Sequence, residues 1–179
     1  MGISAGLGQG ALLPGLVLVG KATATSGSTL SVSSCLTGEY TNYVVMIDNA
    51  VANATCGVHL ALLSGASLNA ANWTWGQSRP DYAANTFGYN KASSDSQGPQ
   101  VCVATTTNPT SSRVELFRPQ KASWTTAISL GMDARGTGGY VPLTVAGQLE
   151  NNTQYDGVRV EFSGTTIASL SVRVYGYRD

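Results

Sequence analysis

Apolar residues recur at every second position through most of this chain, and no other feature limits its folding so tightly. Leu30 and Val32 alternate with serine and threonine. Val58, Leu60 and Leu62 alternate with Gly57, His59 and Ala61, and Val114 and Leu116 with Arg113 and Glu115. The rule holds again at Ile128, Leu130 and Met132, at Val141, Leu143 and Val145, at Val158, Val160 and Phe162, and at Leu170, Val172 and Val174. Successive side chains of a strand leave opposite faces, so each run predicts a strand with its apolar face turned inward. Turn-forming clusters separate the runs: Ser26-Gly27, Asn108-Pro109, Gly136-Thr137-Gly138-Gly139 and Ser163-Gly164-Thr165. A capped helical period is missing; Ser67 to Trp75 has room for one short helical turn with Ser67 as its cap.

Many short strands at near-regular spacing predict an all-β sandwich or barrel. An antiparallel two-sheet β-sandwich of jelly-roll type is the expected form, because double-sheet layouts leave few exposed edges. The 179 residues suit one such domain, over 26–179. Residues 1–25 read as an extended, Gly-rich lead-in that anchors on a neighbouring subunit or on its own domain. The segment from Asn72 to Gly98 breaks the alternation and reads as a long loop or insertion. Asp156 to Phe162 and Ile167 to Tyr177, joined by Ser163-Gly164-Thr165-Thr166, read as a closing hairpin.

Charged residues make up only 11% of the chain, against about 25% in an ordinary soluble domain. Charge is depleted at the centre of protein interfaces, so the composition favours association with other copies. The formal net charge is zero and no basic stripe occurs, which leaves nucleic-acid binding without electrostatic support. The apolar stretch Ala11–Gly20 follows no basic residue and is split by Pro14 and Gly15, so neither a secretory leader nor membrane insertion is expected.

Catalytic patterns are missing from the sequence. His59 is the only histidine, on the polar side of its strand, and is expected at the surface or at a subunit contact. Glu39, Asp48, Asp81, Asp95, Asp133 and Asp156 are spread singly, with neither the close oxygens of a calcium site nor an adjacent carboxylate pair. Cys35, Cys56 and Cys102 fit no metal motif and act as small apolar residues; one disulfide remains compatible with their number. The expectation is therefore a non-enzymatic protein with no cofactor and no metal. The binding candidates are aromatic. Trp73, Trp75, Tyr82 and Tyr89, with Arg79 for polar contact, could stack on a host-surface glycan; alternatively, Trp73 and Trp75 cover the open end of the fold.

The final stretch is the most specific. Tyr155-Asp156-Gly157-Val158, Ser163-Gly164-Thr165 and Arg173-Val174-Tyr175-Gly176-Tyr177-Arg178 resemble the closing segment of a family of tailed-bacteriophage virion proteins, often labelled tail-fibre or structural proteins. Tyr40-Thr41-Asn42-Tyr43-Val44-Val45-Met46-Ile47 is similar to that family's early strand, and Pro14-Gly15-Leu16-Val17-Leu18-Val19 to its lead-in strand. The resemblance implies a β-sandwich displayed on the virion, commonly as a homotrimer, in contact with major capsid or tail proteins. Leu12, Leu13, Leu16, Arg173, Tyr175 and Tyr177 are then the assembly candidates. Val172, Val174 and Gly176 should pack inward, with Gly176 admitting a neighbouring ring. No coiled-coil heptad or collagen-like repeat occurs, which favours a capsid decoration or cement protein, or a short fibre or spike, over a long fibre.

Overall fold

Strand pairing shows which face each alternating run buries, and in two places the answer differs from the sequence pattern. The computed structural model describes residues 15–69, 72–81, 86–95, 97–136 and 139–178. Among these the secondary structure is all β, without helix. The strands are β1 (Gly15–Ala24), β2 (Thr29–Val32), β3 (Asn42–Ala52), β4 (Cys56–Ser64), β5 (Ser67–Asn69), β6 (Trp73–Asp81), β7 (Thr86–Asp95), β8 (Gln100–Ala104), β9 (Thr110–Phe117), β10 (Thr125–Gly136), β11 (Gly139–Leu149), β12 (Gly157–Phe162) and β13 (Ile167–Arg178). The main path runs β1-β13-β3-β9-β10-β8-β4-β12-β2, and a branch continues from β10 through β11 and β6 to β7. Neighbours are antiparallel except at β8, which meets β10 in parallel at Val103 and Asp133, and at an isolated parallel bridge between Val51 and Thr105. The result is one mixed sheet nearly closed into a barrel, in which β1 and β2 approach each other at the seam.

The interior follows the alternation closely in β9, β11, β12 and β13. Val114, Leu116, Leu143, Val145, Val158, Val160, Phe162, Leu170, Val172 and Val174 are all buried. β4 is buried on both faces: His59, Ala61 and Leu63 are covered as well as Val58, Leu60 and Leu62. The expectation of a surface His59 is therefore corrected. Its ring sits beside Gln100, and Nδ1 lies 3.0 Å from the Gly98 carbonyl oxygen.

β10 is inverted relative to expectation. Ile128 and Leu130 are 46% and 62% exposed, while Ala127, Ser129, Gly131 and Asp133 turn inward. The cause is the close crossing of β8. A Cβ on Gly131 would stand 2.0 Å from the Val101 carbonyl oxygen, so no side chain fits at this point of β10. The Ser112 and Ser129 hydroxyls hydrogen-bond at 2.9 Å in the same seam and so satisfy each other out of water.

Three further expectations change. β12 and β13 do not form a hairpin: β12 pairs with β2 and β4, and β13 with β1 and β3. The Ser163-Gly164-Thr165 turn instead carries the chain from one side of the barrel to the other. The short helical turn near Ser67 is replaced by β5, which folds back on β4 through Leu68 and Leu63. The irregular segment from Asn72 to Gly98 contains two long paired strands, β6 and β7.

The lead-in divides. Gly15–Ala24 is β1, bonded along its length to β13, whereas residues 1–14 lie outside the described residues. Gly176 packs inward as expected. The Tyr40 ring lies over it so closely that an added Cβ would stand 2.3 Å from the ring, and Tyr40 meets Tyr43 edge-on with centroids 6.0 Å apart. The glycine is thus the floor of an aromatic pair that closes one end of the core.

Candidate functional site

The outward-facing residues of neighbouring strands fall into rows, and two regions of this surface stand out. The first crosses β1, β13, β3, β9 and β10. Register places Leu18 beside Tyr175, Tyr175 beside Val44, which its neighbours cover, Val44 beside Glu115, and Glu115 beside Ile128. The next row runs Lys21, Arg173, Met46, Arg113, Leu130. At the usual strand spacing each row is about 19 Å long. Leu16 and Leu18 are both 48% exposed and lie against Tyr177 and Tyr175. Ion pairs hold the arginines flat: Arg173 with Asp48, and Arg113 with Glu115 at 2.7 Å, while Arg113 also donates to the Tyr177 hydroxyl. Leu16, Arg173, Tyr175 and Tyr177 thus come together on one face. Leu12 and Leu13 lie outside the described residues.

The second region lies beyond β10. Here the outward row runs Ile128, Ala146, Gly76, Lys91, and the row beside it Phe117, Thr126, Gln148, Thr74. Ala146 and Gly76 have almost no side chain, so the sheet surface dips between Thr126 and Lys91. The dip is a groove of about 670 Å³, lined by Thr74, Gly76, Lys91, Thr126, Gln148 and Glu150 among others. Trp124, one residue before β10 and of the same parity as Thr126, is 47% exposed. Continuing the β10–β11 register by one step from Thr125 and Leu149 sets it opposite Glu150.

The aromatic candidates are not gathered at this surface. Trp73, Trp75, Gln77 and Arg79 lie on the opposite face of β6, over the core. Trp73 is completely buried, so its ring is unavailable for stacking on a glycan; Trp75 is 9% exposed and is one of the residues lining the groove. Arg79 bonds the fully buried Asp133 at 2.6 Å. Tyr82 lies outside the described residues, as does the side chain of Tyr89. Sequence reasoning missed Trp124, Thr126 and Gln148. Their shared parity with Ile128 and Leu130 is the available signal, and it is hidden because an apolar pair in an alternating run reads as interior.

The thiols are withheld from the surface. Cys35, Cys56 and Cys102 are free and buried. Burial pushes the thiols of Cys35 and Cys56 up to about 11 and that of Cys102 up to about 12. The folded protein therefore holds these protons more tightly than the unfolded chain, whose thiols titrate near 9. The resulting stability is complete below about pH 9 and is lost as pH rises through the folded values, near 11 to 12. Thermal midpoints should be level at neutral pH and fall across that alkaline window. A cysteine-free variant should fall less, and an equal fall would assign the effect to other groups. Alkylation at pH 8 should modify no thiol until denaturant is added.

Among the described residues no group of three or more His, Cys, Asp or Glu gathers as a metal site would need, and no helix is long and apolar enough to cross a membrane. The chain matches no protein-family model and no curated protein.

Proposed function

We propose that this chain is a non-enzymatic structural protein of a tailed-phage particle, held there by protein–protein contact as a capsid decoration or cement protein, or as a short fibre or spike. The observation that carries the assembly reading is the outer face of β1, β13, β3, β9 and β10. It presents Leu16, Leu18, Ile128 and Leu130 to solvent, with tyrosines and paired arginines between them. Interfaces are enriched in Tyr and Arg and bury such apolar side chains at their centres. The phage setting rests on the resemblance of the Arg173–Arg178 segment and is part of the proposal, as are the homotrimer, the virion location and contact with capsid or tail proteins. The jelly-roll sandwich belongs here too, as a flattened form of the barrel with β8, β4, β12 and β2 facing β13, β3 and β9 across one core.

Light scattering on a sizing column tests the assembly face. The parent chain should run as an oligomer, and the Leu18→Asp/Leu130→Asp double variant as a folded monomer that still unfolds in one cooperative thermal transition. A monomeric parent, or an oligomer indifferent to both charges, would overturn this use of the face. Copy number in purified particles separates the two locations: hundreds of copies for a decoration protein, a few for a fibre.

A further inference from the structure

The groove between β10 and β7 borders the assembly face along β10, and its chemistry singles out a ligand. Its floor is Ala146 and Gly76, flat and nearly devoid of side chain. Its rim offers hydroxyls from Thr74 and Thr126, an amide from Gln148, a carboxylate from Glu150 and an ammonium from Lys91. Among the described residues neither Glu150 nor Lys91 takes an ion-pair partner, so both charges face the groove uncommitted. Trp124, 47% exposed, falls opposite Glu150 when the β10–β11 register is continued by one step, next to that end of the groove. From Ala146 to Glu150, both of which line it, the chain advances about 14 Å, which gives an elongated site rather than a point contact.

We infer that this groove binds a neutral polysaccharide chain, with Trp124 as the stacking platform for one pyranose ring and Thr74, Thr126, Gln148, Lys91 and Glu150 as hydrogen-bond partners for its hydroxyls. Pyranose C–H faces pack on aromatic rings, while their edges carry hydroxyls that both donate and accept. A rim that mixes donors and acceptors suits such groups, and ionised partners strengthen the bonds. The one positive and one negative rim charge cancel. Anionic ligands, whether acidic polysaccharide or nucleic acid, therefore gain no net attraction here. An apolar peptide would leave the rim charges unsatisfied beneath it.

The test is a titration of the purified full chain with maltohexaose, cellohexaose, chitohexaose and mannohexaose, read by calorimetry and by tryptophan emission. Dextran sulphate serves as the anionic comparison. At least one neutral sugar should bind and shift the emission. Trp124→Ala should weaken that binding about tenfold, the effect of losing one good contact. Ala146→Tyr, which fills the groove from an exposed position, should abolish it, and both variants should keep the parent's thermal midpoint. Silence from all four neutral sugars overturns the inference. So does binding that survives Ala146→Tyr, and so does dextran sulphate binding as tightly as the best neutral sugar. The assembly reading stands or falls separately, because Leu18 and Leu130 do not line the groove.

Discussion

Trp73→Ala lowers the free energy of unfolding by about 3–5 kcal/mol, the loss expected when a fully buried indole is cut back to a methyl. Trp73 lies inside the core cluster, paired across to Leu149 of β11 and close to Gly98. The cavity left behind would lie in the core beneath β6 and β11, whose backbone pairing holds the two strands in place and limits collapse into it. Trp73→Phe should cost clearly less. It retains most of the apolar volume and removes an indole N–H that has no hydrogen-bond acceptor. Urea denaturation of both variants checks this. An alanine variant within about 0.5 kcal/mol of the parent would behave as surface substitutions do, and would contradict the burial.

Arg79→Ala should cost about 3 kcal/mol, the low end of the range for removing one partner of a buried ion pair. The low end applies because Arg79 keeps about a third of its side-chain surface while Asp133 has none. The loss comes chiefly from removing the guanidinium's share in stabilising a carboxylate that water does not reach. Replacing both residues, as Arg79→Met with Asp133→Asn, should therefore recover much of the stability, since no buried charge remains. Equilibrium unfolding of the single and double variants gives the coupling directly. If the double variant were as unstable as Arg79→Ala, the pair would matter through packing rather than charge.

These two residues also show what the sequence could reveal. Period two made the all-β character and most inward positions legible, because burying one face of a strand requires it whatever the neighbours are. It did not reveal which of two faces would be inward where both carried plausible residues. On β10, the inward face is the one of Ala127, Ser129 and Gly131 because β8 crosses so close to residue 131 that only glycine fits there. That crossing joins residues 101 and 131 and has no local signature. The same inversion concealed Trp124 and Thr126, which share parity with the exposed Ile128. The closing turn misled for a related reason: Ser163-Gly164-Thr165 reverses the chain equally well whether the strands pair with each other or diverge to other partners. In β6, Trp73 and Trp75 were legible as important but not as interior, since asparagine, serine and glycine nearby mimic a loop. Arg79 drew attention as a surface contact, and only the fold supplies the buried Asp133 that holds it.

The pairing of β1 with β13 has a kinetic consequence. Gly15 is matched with Arg178 and Ala24 with Leu170, so the first described strand bonds to the last. At synthesis rates of roughly 5–20 residues per second, the stretch Leu16-Val17-Leu18-Val19 waits on the order of 10 s or more for its partner. Contacts between such distant residues also form slowly, because a long loop must close before any of them is rewarded. For that interval the nascent chain carries an unpaired, β-prone apolar segment. Yield in a cell should therefore depend on what shields that segment until synthesis is complete, more than on the stability of the finished barrel.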